Sequence, residues 1–279
     1  MSAALEIRKI AIIYFSPTGN TGIIAEEIYR QLMSANVRVD LIDITIPKNR
    51  ENLSNLFNHD FIIFGFPIYY RRAPQLIRTW IRTLKKKERK CAVYFTYGGV
   101  TTGVALQDMA CLLMDRGFGL LAAAEFLGQH TFNLAGWNLM KDRPNEEDKN
   151  LARTFAREIL NKLVDKNTKP ICFEPLSEQE NKKFDKKSRS TRRIIPVPYI
   201  IPKECVNCGN CETHCPTGAI NIEKFEINRK SCIRCLKCMT LCPENAIKIK
   251  NMSKLLEFLK TRHDLSEITL GKKKSKLYL

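Results

Sequence analysis

The stretch Cys205 to Pro216 reads CVNCGNCETHCP, and 27 positions further on Cys232 to Pro243 reads CIRCLKCMTLCP. Each run is C-x2-C-x2-C-x3-C-P, so eight of the eleven cysteines fall on one ruler between Cys205 and Cys242. Three thiols spaced by three residues can wrap one iron–sulfur cubane if their loop curls tightly around it, and the fourth iron corner then faces away from that loop. Zinc also takes four cysteines. Structural zinc sites, however, mostly use two C-x2-C pairs across a long gap, and a tetrahedral ion has no use for three close thiols and a distant fourth. Cys91, Cys111 and Cys172 lie outside the runs and read as two core residues and one linker thiol.

A second constellation lies near the start, in IIYFSPTGNTGIIAEEI, Ile12 to Ile28. An apolar strand ends there and a helix begins, so Ser16, Thr18, Gly19, Asn20 and Thr21 sit where hydroxyls and unpaired backbone N–H groups converge beside the positive end of a helix dipole. That is a cradle for an anion. The loop contains no Lys or Arg, so a phosphate held here would rest on hydrogen bonds and dipoles. It has neither the GK[ST] of a nucleoside triphosphatase nor the G-x-G-x-x-G of a dinucleotide fold.

The elements that must position these groups follow two grammars. Up to about Leu163, apolar runs (Ile10 to Phe15, Asp60 to Phe66, Cys91 to Tyr97, Leu120 to Phe126) alternate with helical periodicity at Thr21 to Met33, Pro74 to Leu84, Val104 to Met114 and Asn145 to Leu163. Runs apolar on both faces are strands covered on both sides, and a weaker run at Val37 to Ile42 reads as an edge strand. Beyond it NTKPICFEPLSEQENKKFDKKSRSTRR is polar and charged, a linker with room for a helical turn around Glu178 to Phe184. A short strand at Pro198 to Ile201 leads into the cysteine runs, each followed in register by CPTGAINI or CPENAIKI. Such a repeat predicts two similar halves about a pseudo-twofold axis. From Met252 the chain turns helix-like, with Leu255, Leu256, Phe258 and Leu259, and ends in the basic GKKKSKLYL.

The cysteine runs resemble those of bacterial two-cluster ferredoxins, whose last cysteine ligates the other cluster. Carried over, that resemblance implies one 4Fe-4S cluster on Cys205, Cys208, Cys211 and Cys242, and a second on Cys232, Cys235, Cys238 and Cys215. The SPTGNT loop, with Tyr14 before it and Ala25 and Ile28 after it, resembles the phosphate loop of flavodoxins. The implied fold is a flavodoxin-like α/β doubly wound five-stranded parallel sheet of order 2-1-3-4-5, joined to a small α+β two-cluster ferredoxin domain, with FMN rather than FAD at the switch point. FPIYYRRAP and TYGGVTTG would then clasp the flavin ring: Pro67, Tyr69, Tyr70 and Tyr97 as flat walls, Gly98 and Gly99 as places where backbone approaches its edge. The first of these loops places no glycine at its tip, a departure from many flavodoxins. Arg71, Arg72, His130 and Trp137 could line a further pocket. The expected organisation is a flavodoxin-like FMN domain at 1–165, a basic linker at 166–197, the two-cluster domain at 198–250 and a basic C-terminal tail at 251–279.

Composition narrows the context. With 279 residues, 44% of them hydrophobic, the chain can bury one full core and a smaller one. MSAALEIRKIAIIYF has no secretory signature and no apolar run reaches membrane-span length, which reads as cytoplasmic. Eleven cysteines in a reducing compartment point to metal or redox chemistry rather than disulfides. The formal charge of +17 is offset in part by clusters and phosphate. The basic remainder, in KKFDKKSRSTRR, GKKKSK and Arg82 to Lys90, suits an acidic redox partner protein; no nucleic-acid-binding motif accompanies it. The whole resembles fused flavodoxin–ferredoxin proteins of anaerobic microbes, implying an electron carrier with FMN and two 4Fe-4S clusters. The alternative is an FMN-dependent reductase of a small molecule fed through the clusters; no catalytic residue, direction of electron flow or oligomeric state can be named from sequence.

Overall fold

The computed structural model describes residues 9–51, 58–165 and 167–279; the first eight residues and Lys166, where the linker is expected to begin, lie outside the described residues. Strand β1 (Lys9–Tyr14) is followed by α1 (Asn20–Ser34), β2 (Arg38–Asp43), α2 (Lys48–Glu51), β3 (Phe61–Pro67), α3 (Gln75–Thr83), β4 (Arg89–Tyr97), α4 (Ala105–Met114), β5 (Phe118–Leu127) and α5 (Glu146–Val164). The strands pair in parallel in the order β5-β4-β3-β1-β2, which is the expected doubly wound order 2-1-3-4-5. Because successive side chains point to opposite faces, β1 sends Ala11 and Ile13 to one core with α3 and α4, and Ile10 and Ile12 to another with α1 and α5. The helix expected from Asn145 opens with a capping box: the Asn145 side chain accepts from the Glu147 and Asp148 backbone N–H groups, while Asp148 caps back onto Asn145.

Two features differ from the expectation. A sixth strand, β10 (Lys276–Tyr278), runs antiparallel to β5 and covers that edge of the sheet. A three-residue strand in a lysine-rich tail has no alternation to read. The segment read as a basic linker contains a 17-residue helix, α6 (Glu178–Ile194), opened by a capping box between Ser177 and Glu180. Its face is polar, so apolar periodicity gave no sign of it. It is held by charge instead: the buried Arg72 guanidinium donates to Asp185 at 2.9 Å and to the Asn181 side-chain oxygen at 2.8 Å, and lies 5.4 Å from the Phe184 ring.

Downstream, β6 (Tyr199–Ile200) pairs antiparallel with β9 (Ile247–Lys248), and β7 (Ile220–Asn221) with β8 (Glu226–Ile227), with α7 (Asn210–Thr213) and α8 (Lys237–Leu241) between them. Ile200, Cys211, Ile220 and Ile247 form the small core of this unit. Helices α9 (Ser253–His263) and α10 (Glu267–Gly271) then return to the sheet domain. A third core joins the parts: Phe132, Trp137 and Leu139 from the loop after β5 pack with Ile195, Leu236, Met252 and Leu265. Beside it the His130 ring lies 4.9 Å from Trp137 and 5.2 Å from Phe132, and its Nδ1 accepts from the Phe132 backbone N–H, the arrangement of a neutral imidazole.

Two predictions follow from this packing. A Cβ at Gly65 would lie 2.2 Å from the Tyr94 ring, whose hydroxyl donates to the Thr21 carbonyl under the β1–α1 loop at 3.0 Å. Gly65→Ala therefore costs about 1–3 kcal/mol by overpacking, read as a lower thermal midpoint, and loosens the loop. Burial lowers the His130 pKa from 6.5 to about 4. The unfolded chain takes up this proton near pH 6.5 and the folded one does not, so the stabilisation is complete above pH 6.5 and is lost as pH falls toward about 4, at most roughly 3 kcal/mol. Thermal midpoints measured anaerobically from pH 8 to pH 5 will fall less for His130→Gln than for the parent.

Candidate functional site

The carboxyl ends of β1, β3, β4 and β5 open into a cavity of about 510 Å³. Its floor contains Ser16, Thr18, Asn20 and Thr21, and its sides Pro67, Tyr69, Tyr70, Tyr97 and Gly98, so most of the residues singled out for a flavin converge on one space. Gly19 and Gly99 do not line it. A Cβ on Gly98 would come within 2.6 Å of His130, so this glycine makes room for a side chain of the same wall.

The β1–α1 loop is braced by its own polar groups. The Ser16 backbone N–H donates to the Thr45 hydroxyl at 2.8 Å, and the Gly22 N–H donates to the Ser16 hydroxyl at 2.9 Å. Thr21 shares a 2.7 Å hydrogen bond with Thr96, and the Asn20 amide donates to the Gln129 carbonyl at 2.9 Å. Three of the four polar side chains thus hold the loop in shape. Thr18 is the one that has no such partner among the described residues, at a helix N-terminus whose first amides have no intrahelical acceptor. A phosphate fits there. Higher in the cavity the Trp137 indole N–H is buried without a protein acceptor among the described residues, a donor available to a bound ring system.

The β3–α3 loop departs from the expectation in an informative way. Tyr69 N–H donates to the Arg72 carbonyl at 2.7 Å and Arg72 N–H to the Tyr69 carbonyl at 3.2 Å, closing a two-residue turn with Tyr70 at φ 53° and Arg71 at φ 72°. Such a turn requires positive φ at both central residues and usually takes Asn or Gly. Here it is imposed from outside: the Ser188 hydroxyl of α6 donates to the Tyr70 carbonyl at 3.1 Å and the Val104 N–H to the Arg71 carbonyl at 3.0 Å. The turn sends Arg71 to the cavity and Arg72 into a buried network with Asp108 and Asp185, so Arg72 does not line the space with Arg71, His130 and Trp137. Burial raises the phenol pKa of Tyr69 and Tyr70. The second cysteine run lies beside this tyrosine wall, with Ile233 and Arg234 in the cavity lining and Leu236 in the core against which Tyr70 packs.

That run and its twin have matching backbones. Asn207 (φ 53°) and Gly209 (φ 73°) in the first correspond to Arg234 (φ 60°) and Leu236 (φ 59°) in the second, the tight curl expected of a loop around a cluster. The Ala219 N–H donates to the Cys215 sulfur at 3.3 Å and the Ala246 N–H to the Cys242 sulfur at 3.1 Å, the same contact in each half. Burial pushes Cys235 up to about 12, with the neighbouring Cys232 and Cys215 thiolates contributing. Cys238 is raised by burial and then by Cys235, Cys232, Cys215 and Cys211, whereas Cys211 is raised by burial, Cys205 and Cys208. Cys205, Cys215, Cys238 and Cys242, from both runs, pack against the small core that contains Cys211. Among the described residues no three His, Cys, Asp or Glu side chains converge as around a single metal ion. Of the thiols outside the runs, Cys91 is buried, Cys111 half-buried and Cys172 exposed.

Sequence reasoning missed the third wall of the cavity. Lys187, Ser190, Thr191 and Ile194 of α6, and Leu255, Phe258, Leu259, Arg262 and His263 of α9, all face it. The apolar spacing within α9 was visible; what it packs over was not.

Comparison with known proteins agrees with this architecture. A flavodoxin domain matches residues 11–111 and a 4Fe-4S dicluster domain residues 197–243. An uncharacterized protein of Methanocaldococcus jannaschii is 31% identical over 107 residues, 37% of this chain and 71% of that protein. Ferredoxin Fdx8 of Sorangium cellulosum is 41% identical over 56 residues, 18% of this chain and 52% of its own length. Oxidised Flavodoxin 2 from Bacillus cereus is 20% identical over 55% of this chain and 99% of that one, with a TM-score of 0.45. Among the described residues no helix is long and apolar enough to cross a membrane. A flavodoxin domain implies FMN and a 4Fe-4S dicluster domain implies iron–sulfur clusters; this chain carries the two in one polypeptide and belongs to the family of the uncharacterized Methanocaldococcus jannaschii protein.

Proposed function

We propose that this electron-transfer protein passes electrons between FMN, seated in the cavity, and two 4Fe-4S clusters, the nearer held by Cys232, Cys235, Cys238 and Cys215 and the farther by Cys205, Cys208, Cys211 and Cys242. The observation that carries the reading is that the second cysteine run borders the cavity: Ile233 and Arg234 line it together with Tyr69 and Tyr70, and Tyr70 packs against the core that contains Leu236. A bound flavin exchanges two electrons on one side and single electrons on the other, whereas each cluster carries one.

The chain's own residues supply the rest. Thr18 and the first amides of α1 hold the phosphate; Ser16, Asn20 and Thr21 keep that loop from collapsing. Tyr70 and Tyr97 supply flat walls, and α6 and α9 exclude water from the ring's outer side. Arg192 donates to the Cys232 carbonyl at 3.0 Å and Ser188 to the Tyr70 carbonyl at 3.1 Å, so a single helix holds both the cluster loop and the flavin loop. At the far end Cys208 is exposed and Val206 is 60% exposed, which gives a redox partner access to the outer cluster. The basic surface favours an acidic partner. A second reading, an FMN-dependent reductase, is favoured by the cavity's third wall, which lies beyond the elements a flavodoxin sheet provides.

Cross-ligation gives the sharpest test. Cys215→Ala is expected to abolish the electron paramagnetic resonance signal of the cluster on the Cys232 run, and Cys242→Ala that of the cluster on the Cys205 run. If each substitution damages the cluster of its own run, the exchange of thiols between halves is wrong.

A further inference from the structure

Three cations and a histidine meet in the cavity without an acidic partner. Arg71 comes from the β3–α3 turn, Lys187 from α6, and Arg262 and His263 from the last turn of α9. The carboxylates of this region are engaged elsewhere: Asp108 and Asp185 serve Arg72 and Arg78 at 2.7–3.5 Å. Among the described residues none of these four side chains forms an ion pair, and the Arg262 guanidinium rests on the Phe258 ring at 5.7 Å. They feel one another: Arg71 and Arg262 lower the pKa of Lys187, with Arg71 first, and of His263 after burial. Like charges gathered in a partly desolvated space repel, and an anion between them removes that cost.

Three further observations locate the anion. The turn that presents Arg71 holds two non-glycine residues at positive φ, a strained conformation held by the Tyr69–Arg72 hydrogen bonds and by its α6 and Val104 contacts. The β1–α1 loop that suits the FMN phosphate contains no basic residue, so the cations belong to a different charge. The wall beside them is apolar, made by Leu255, Phe258 and Leu259, with the unpartnered Trp137 indole N–H in the same cavity.

We propose that the cavity takes, beside FMN, a small organic anion: a carboxylate on an apolar or aromatic body, with Arg71, Lys187 and Arg262 holding the carboxylate and the α9 leucines and Phe258 covering the body. This rests on the FMN reading of the same cavity and names the class of molecule that an electron-transferring flavin there would meet. Arginine is suited to the task because its planar fork matches a carboxylate bidentately.

The test uses the full chain prepared anaerobically with its flavin and clusters. Flavin and cluster absorbance are recorded first; protein that retains no flavin overturns the functional reading, while anion binding is scored separately by calorimetry. Benzoate and hexanoate are titrated against their neutral counterparts benzamide and hexanamide. The expected result is saturable one-to-one binding of the acids, roughly tenfold or more tighter than the amides. That preference should disappear in Arg71→Gln/Arg262→Gln and weaken in Arg262→Gln alone, a change on an exposed helix end that leaves the turn intact. Lys272→Gln/Lys274→Gln, in the exposed tail, should preserve it. Equal binding of acids and amides, no binding of either, or a preference that survives the arginine substitutions overturns the site. Loss of FMN from Arg71→Gln/Arg262→Gln would assign the cations to the cofactor's phosphate and also overturn it.

Discussion

The buried guanidinium of Arg72 is the contact on which the two halves of this protein depend. It is 2% exposed, and its hydrogen bonds go to Asp185 and Asn181, both on α6, with Asp108 of α4 at 3.5 Å. Leaving a buried charge without its partner costs about 3–5 kcal/mol, so α6 cannot leave the sheet domain cheaply. The helix in turn clamps the Tyr70 carbonyl, supplies one wall of the cavity and reaches the Cys232 loop through Arg192. One desolvated cation thus turns a charged segment into the frame that sets the flavin-type pocket and the second cysteine run side by side.

Proximity is what the frame achieves. Two redox units on a flexible tether meet at an effective concentration of about millimolar and in many poses. A helix fixed by Arg72 at one end and by the shared core of Trp137, Ile195, Leu236 and Met252 at the other leaves one arrangement. Arg50 adds a contact from the sheet side, donating to the Pro216 carbonyl at 2.6 Å. The second half of the duplicated unit is the half that faces the cavity, and the difference between the halves reflects this. Gly209 occupies the left-handed position in the solvent-facing loop, while Leu236 occupies the same position in the inner loop and is 1% exposed. There the buried side chain in the shared core offsets the backbone strain that glycine would have avoided.

Charge is distributed by the same logic. The acidic side chains near the cavity are consumed in holding Arg72 and Arg78, and the cations that remain are left facing the space. The exposed lysines of the tail and of α6 stay in water, screened over about 8 Å at physiological salt, and act on encounter rather than on stability.

The sequence by itself determined the chemistry that depends on local spacing. Two runs of C-x2-C-x2-C-x3-C-P mark a 4Fe-4S dicluster domain, because thiols three residues apart can meet in a tight loop. Near-continuous apolar runs become covered parallel strands because both their faces must leave water, and SPTGNT between such a strand and a helix becomes a polar loop at a helix N-terminus on the cavity floor. The tertiary structure decided what depends on partners distant in the chain. Helix α6 has no apolar stripe, so its existence rests on a buried arginine more than a hundred residues earlier, a pairing that no periodicity encodes. Strand β10 needs only three residues and an open edge. Arg71 and Arg72 are adjacent in sequence and equal in charge; only a turn forced to positive φ by α6 and Val104 sends one to the cavity and the other to the core. The gathering of Arg71, Lys187, Arg262 and His263 spans 192 positions and three elements, and in one dimension they are merely four of many basic residues.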